Sequence, residues 1–117
     1  MDICVVKKEE IVWEKIDFGN DDDFRLMDII AKPQGSPYTF GINELGVCKK
    51  SSVEYDNDSG TCYILEGELI LEENTTGSRV TLTPGDTVYI PKKAGLVVDF
   101  ICNDYCKYVF VTFPNWR

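Results

Sequence analysis

Apolar and polar residues alternate along much of this chain with a period of two, as in Arg79-Val80-Thr81-Leu82. Such alternation sends successive side chains to opposite faces of a strand. A helical period is sustained nowhere. The pattern predicts strands over residues 24–31, 38–48, 52–56, 61–65, 68–71, 79–82, 87–91, 96–102 and 105–113. In the first of these, Leu26, Asp28 and Ile30 share a face. The strands at 61–65 and 68–71 are predicted to flank a tight turn at Glu66-Gly67. Those at 96–102 and 105–113 form a last hairpin around Asn103-Asp104. Turn residues separate the rest, at Pro33-Gln34-Gly35-Ser36-Pro37, Glu73-Asn74-Thr75-Thr76-Gly77 and Pro84-Gly85-Asp86. Residues 3–7 read as an edge strand, and 12–16 as a strand or a short helical turn. Short strands at regular spacing predict an all-β antiparallel barrel or jelly roll, a closure that removes exposed sheet edges.

At 117 residues the chain is one domain, able to bury a core without staples. We divide it into an N-terminal segment, residues 1–23, and a barrel, residues 24–117. Twelve basic against twenty acidic residues give a net charge of −8. That balance excludes a nucleic-acid binder, which needs a basic face, and a protein held to anionic lipid by charge. No apolar run is long enough to cross a bilayer. The N-terminus has no secretory apolar region, and the five cysteines are odd in number. Both features predict reduced thiols in a cytoplasm, with Cys102 and Cys106 unpaired. The run Asp21-Asp22-Asp23 lacks the ligand ladder of a calcium loop and reads as a solvated turn.

Leu65-Glu66-Gly67-Glu68-Leu69, Gly85-Asp86 and Ile90-Pro91-Lys92 resemble, in order and spacing, the motifs of the cupin barrel. Phe24-Arg25-Leu26-Met27-Asp28-Ile29-Ile30 followed by Ser36-Pro37, then Gly41-Ile42-Asn43-Glu44, are similar to the ethanolamine-utilisation (EutQ-like) cupins of bacteria. So is the ending Val111-Thr112-Phe113-Pro114-Asn115-Trp116. This resemblance implies a cupin-type jelly roll and a role in bacterial ethanolamine breakdown, in the cytoplasm and linked to the microcompartment. An acetate or acetyl-phosphate activity is attached to that family; nothing in these residues derives it.

The chain departs from a metal cupin at every ligand. The family's first motif carries two histidines separated by one residue, then a glutamate ahead of the hairpin glycine. Counting back from Gly67 puts the glutamate at Gly60 and the histidines on or near Glu54 and Asp56. A further histidine is expected near Leu96. This chain has no histidine at all. Without imidazole a zinc, iron, copper or nickel site loses its usual ligands. No metal and no cofactor are therefore expected. Glu54 and Asp56, sharing a strand face, with Asp58 nearby, offer oxygens suited only to magnesium, calcium or manganese, and a solvated edge or loop explains them as well.

A cupin mouth commonly takes a small ligand. Parity puts Gly60, Cys62 and Ile64 on one face, so Cys62 lines the cavity if Gly60 does. Glu44, in an apolar strand, is either a buried acid or base with a raised pKa or an outward-facing side chain. Tyr89, Tyr105 and Tyr108 are hydroxyl donors to an anion, or packing. Lys92 and Lys93 are cations at the mouth, or a solvated turn. The candidate ligand residues are thus Glu44, Glu54, Asp56, Cys62, Tyr89 and Tyr108.

Two expectations follow. The first is a metal-independent binder or weak enzyme for a small polar or anionic molecule, with at least two convergent carboxylates or tyrosines. The second is a non-catalytic interaction partner whose barrel is filled. Either is expected to be a homodimer, burying apolar strands such as 3–6 or 96–100.

Overall fold

The computed structural model describes residues 2–117. Its ten strands form two antiparallel sheets. They are β1 (Glu14–Lys15), β2 (Phe24–Ile30), β3 (Thr39–Leu45), β4 (Cys48–Glu54), β5 (Ser59–Gly67), β6 (Leu69–Glu73), β7 (Arg79–Leu82), β8 (Thr87–Ile90), β9 (Val97–Cys102) and β10 (Cys106–Phe113). One sheet has the order β1-β2-β3-β10-β5-β8 and the other β4-β9-β6-β7. No described helix is long and apolar enough to cross a membrane.

Alternation sorts the side chains. In β3, Thr39, Gly41, Asn43 and Leu45 face inward. In β5 the inward set is Gly60, Cys62 and Ile64. Leu69, Leu71, Val98 and Phe100 of the smaller sheet meet them, giving one core between the layers. Edge-to-face contacts tie Phe18 to Phe24 and Phe24 to Phe100, with ring centroids 4.9 and 6.2 Å apart.

The two hairpins predicted at Glu66-Gly67 and Asn103-Asp104 are corners instead. β5 and β9 each hand the chain to a strand of the opposite sheet, so β5 does not pair with β6, nor β9 with β10. The corners pack on each other. Gly67 has φ +73°, and a Cβ there would stand 1.9 Å from the Tyr105 carbonyl oxygen. Only glycine fits that approach.

The strand predicted at 38–48 also divides. Gly46 and Val47 hand the chain from β3 to β4, held by a pair of backbone hydrogen bonds to Asp23. Residues 3–7 belong to no strand; the edge of the larger sheet is Glu14–Lys15. Asp22, read as part of a solvated turn, is buried. It accepts hydrogen bonds from Lys49 N–H, Lys50 N–H and the Ser51 hydroxyl at 2.9, 3.0 and 2.8 Å.

Residues 96–100 are core, with Leu96, Val98 and Phe100 all buried, so they offer no surface to a second copy. The exposed apolar face lies elsewhere. Tyr63, Tyr89, Val111 and Phe113 project from the outer side of the larger sheet.

Candidate functional site

Between the sheets lies a cavity of about 320 Å³. β2, β3, β5 and β10 wall it from one sheet, β4 and β9 from the other. Ile16 and Phe18 from the N-terminal segment and Trp116 from the C-terminus complete the lining. Trp116 is fixed there by its indole N–H, which donates to Asp28 Oδ1 at 2.8 Å. Arg117 stacks 4.3 Å from the same ring and pairs with Asp28 and Glu14, tying the end of the chain to β1 and β2.

The lining is chiefly apolar and aromatic, with few polar groups. Tyr108 on β10 is fully buried, and its hydroxyl has no hydrogen-bond partner among the described residues; Thr112 Oγ1 is in the same state. Such groups lose their water without compensation, which costs stability. Tyr55 and Asp58 are also buried in the wall. Burial, then the neighbouring Cys62, pushes the Tyr55 and Tyr108 phenols well above their ordinary value. Burial likewise raises the Asp58 carboxyl. The Cys62 thiol is pushed up to about 12 by the same cause, which makes it a poor nucleophile.

Of the six candidates from the sequence, the cavity brings together Glu54, Cys62 and Tyr108. Glu44 faces the other side of its strand. It accepts from Arg25 Nη1 at 2.7 Å and from the Tyr105 hydroxyl at 3.1 Å. Arg25 also holds Asp23, so the cluster clamps β2 to β3 on the outer surface. Asp56 accepts the Gly95 N–H at 2.6 Å and pins the loop before β9. Tyr89 is 64 % exposed on the outer face. Lys92 and Lys93 are exposed after β8 and do not line the cavity. An anion entering it would meet no lysine or arginine in its lining.

Tyr55, Thr112 and Trp116 are among the wall residues that escaped the sequence reading. Tyr55 follows an irregularity in β4. The β4–β9 register shifts between Cys48 and Ser51, which turns Ser51, Val53 and Tyr55 inward where strict alternation from Cys48 would not. Asp58, which the sequence offers as an oxygen donor near Glu54 and Asp56, does reach the wall. The terminal Trp116 had an apolar signal but no period to place it.

Of the two positions expected to stand for the paired histidines, Glu54 lines the cavity and Asp56 instead accepts the Gly95 N–H. Gly60 replaces the glutamate, and Tyr55 packs over it. Leu96 is buried in the core. One exposed carboxylate, a second already held by a backbone N–H, a glycine and a leucine do not make a transition-metal centre. Among the described residues no three His, Cys, Asp or Glu side chains are grouped to hold an ion.

Known structures share this architecture. An ethanolamine utilization protein Q from Salmonella typhimurium, so described, superposes with a TM-score of 0.82 at 19% identity, covering 97% of this chain and 87% of that one. The EutQ protein of Clostridium difficile gives 0.81 at 21% identity, over 98% and 82%. Ectoine synthase from P. lautus gives 0.79 at 19% identity, over 97% and 79%. At these identities the likeness is one of fold. No curated protein sequence matches the chain. A family model described as the EutQ-like cupin domain matches residues 32–107, from the loop after β2 to the start of β10. That segment is more than half of the chain, and the chain belongs to the EutQ-like cupin family.

Proposed function

We propose that this domain binds a small molecule in the cavity between its sheets, without a metal ion, and serves bacterial ethanolamine metabolism. One observation carries the binding reading. An open space of about 320 Å³ lies between the sheets, with Cys62, Tyr108 and Thr112 in its wall. A barrel filled by its own side chains would leave no such space. Pockets for small ligands are commonly of this size, apolar with a few polar groups. The family match and the two EutQ structures support the metabolic setting. The same kinship supports a place in the cytoplasm beside the microcompartment.

Two-dimensional NMR with pooled small metabolites tests the reading. Shifts at Cys62, Tyr108 and Thr112 that persist in EDTA are the expected result. No shift in the wall by any pool, or binding that EDTA removes, would overturn it.

A second reading, an interaction protein, draws on the outer face of the larger sheet. Val109 pairs with Tyr63 and with Ile42, and Val111 with Thr61 and Phe40, so these two outward rows are uncharged, while the next, Lys107 with Glu44 and Glu66, is charged. On a chain of net charge −8, such a face is where a second copy meets the least repulsion. Light scattering of the wild type and of Tyr89→Lys tests this: a dimer that the lysine dissociates supports it, a monomer at all concentrations refutes it.

A further inference from the structure

Two polar side chains of the cavity wall are buried, unpaired and still open to what enters. Tyr55 and Asp58 are 5% and 7% exposed. Neither side chain has a hydrogen-bond partner among the described residues. The Tyr108 and Thr112 hydroxyls are unpartnered too, but those are sealed from any probe, whereas the Tyr55 hydroxyl and the Asp58 carboxyl are not. The end of the Tyr55 ring lies over Gly60 on the inner face of β5, its hydroxyl oxygen 3.6 Å from where a glycine Cβ would stand. Asp58 is its neighbour: after burial and Cys62, the Asp58 charge also raises the Tyr55 phenol. Buried groups of this kind gain by pairing with a ligand that brings the missing bond.

A tyrosine hydroxyl donates one proton, and a carboxyl oxygen accepts one. A single ligand hydroxyl satisfies both, giving its proton to Asp58 and accepting that of Tyr55. The rest of the wall is lined by rings, from Phe18, Phe24, Phe100, Phe110 and Trp116. Such a wall receives an aromatic body in edge-on or offset contact. Charge of either sign is disfavoured. The lining holds no lysine or arginine for an anion, on a chain of net charge −8. A primary ammonium group would leave water with three donors to satisfy and find one buried carboxyl, since Glu54 is exposed.

Resting on the reading of this cavity as a binding site, we propose that its ligand is an uncharged aromatic molecule of the phenol class. The ring lies among the phenylalanine and tryptophan side chains, and its hydroxyl bridges Asp58 and Tyr55. No covalent step is involved.

Four probes that share one methylated ring and differ in charge and donor test this by titration calorimetry: para-cresol, its methyl ether, para-toluate and para-methylbenzylammonium. Para-cresol is expected to bind at least about tenfold more tightly than each of the others, a difference within reach of one buried hydrogen bond to a carboxyl group. Asp58→Ala should bring para-cresol to within about threefold of its ether. Tyr55→Phe, which keeps the ring over Gly60, should narrow the same gap, so the proposal remains testable if the Asp58 variant misfolds. Equal or tighter binding of the ether, the anion or the ammonium ion overturns the phenol assignment and leaves the binding reading standing. A preference for para-cresol that survives both substitutions overturns the assignment of its hydroxyl to these two residues. Failure of all four probes to bind overturns the proposal too. It reaches the binding reading only if the metabolite pools also leave the wall unshifted.

Discussion

The ring of Tyr55 lies across Gly60, so close that a Cβ on the glycine would stand 3.1 Å from Tyr55 Cε1. Gly60 stands where the cupin motif expects a glutamate, and the room it leaves is taken by the Tyr55 ring. Restoring the acid alone should therefore fail. Gly60→Glu is expected to lose about 1–3 kcal/mol, the ordinary cost of overpacking, and to gain no metal. Adding Tyr55→Ala should return part of that loss, and the non-additivity is readable in a double-mutant cycle by urea unfolding. Additive losses would mean that the ring does not hold the site closed.

Gly67 is subject to a harder constraint, because both its backbone and its neighbour forbid a side chain. Its φ of +73° disfavours any L-residue, and a Cβ would stand 1.9 Å from the Tyr105 backbone oxygen. Gly67→Ala is expected to cost more than about 3 kcal/mol, beyond the usual single-mutant range. Gly85→Ala is a fair control, since that glycine also has positive φ but nothing within 4 Å of its would-be Cβ. A smaller loss at Gly67 than at Gly85, by thermal unfolding, would contradict the packing of the two corners.

The strands were legible in the sequence, and so was the jelly roll, because period-two alternation is imposed by a sheet with one buried face. Which strands pair was not. Glu66-Gly67 and Asn103-Asp104 have hairpin composition, yet each lies at a crossing between sheets, and the reason is a contact of Gly67 with Tyr105 far along the chain. Cys62 and Tyr108 were found by parity and tyrosine chemistry. Glu44 misled because burial of a strand does not say which face an acid takes; here Arg25 and Tyr105 claim it outside. Tyr55 was lost because counting the cupin motif back from Gly67 fell on its neighbours Glu54 and Asp56, and a shift of one residue exchanges the faces of a strand.

Asp22 shows what the acidic loop does. Burial by itself would raise its pKa; the N–H groups of Lys49 and Lys50 and the Ser51 hydroxyl outweigh that and hold it below the ordinary 3.8. A lowered folded pKa means that its stabilisation is complete above about pH 3.8 and is lost as pH falls through the folded value. Asp22→Ala leaves three donors without their acceptor and is expected to cost about 1–3 kcal/mol at pH 7. The gap from wild type, followed by urea unfolding at descending pH, should close below about pH 3.8. A gap independent of pH would assign the loss to packing rather than to charge.

The thiols should react in two groups. Cys4 is exposed, whereas Cys48, Cys62, Cys102 and Cys106 are buried. Burial lifts Cys62 to about 12, and burial with the nearby Asp22 lifts Cys48 to about 12. Thiolates, not thiols, attack an alkylating reagent. Native protein at pH 8 is thus expected to modify Cys4 quickly and Cys48 and Cys62 only on unfolding, as read by intact mass; the Cys102 thiol, lowered to about 7 by its hydrogen bond with Cys106, is protected by burial alone. Rapid labelling of Cys62 would show that solvent reaches the cavity wall far more freely than the structure allows.

Tyr108 lowers stability through one atom. Its hydroxyl is buried in the unliganded domain without a partner among the described residues, and an unsatisfied buried hydroxyl costs about 1–3 kcal/mol. Tyr108→Phe removes that cost and leaves the ring, which stacks at 6.3 Å from Phe100, in place. The variant should be as stable as the wild type or more so by up to about 2 kcal/mol, whereas a polar-to-apolar change at a satisfied site would destabilise. Urea unfolding of the two proteins reads the difference. A variant less stable than the wild type would mean that the hydroxyl is already paired, by water or by protein.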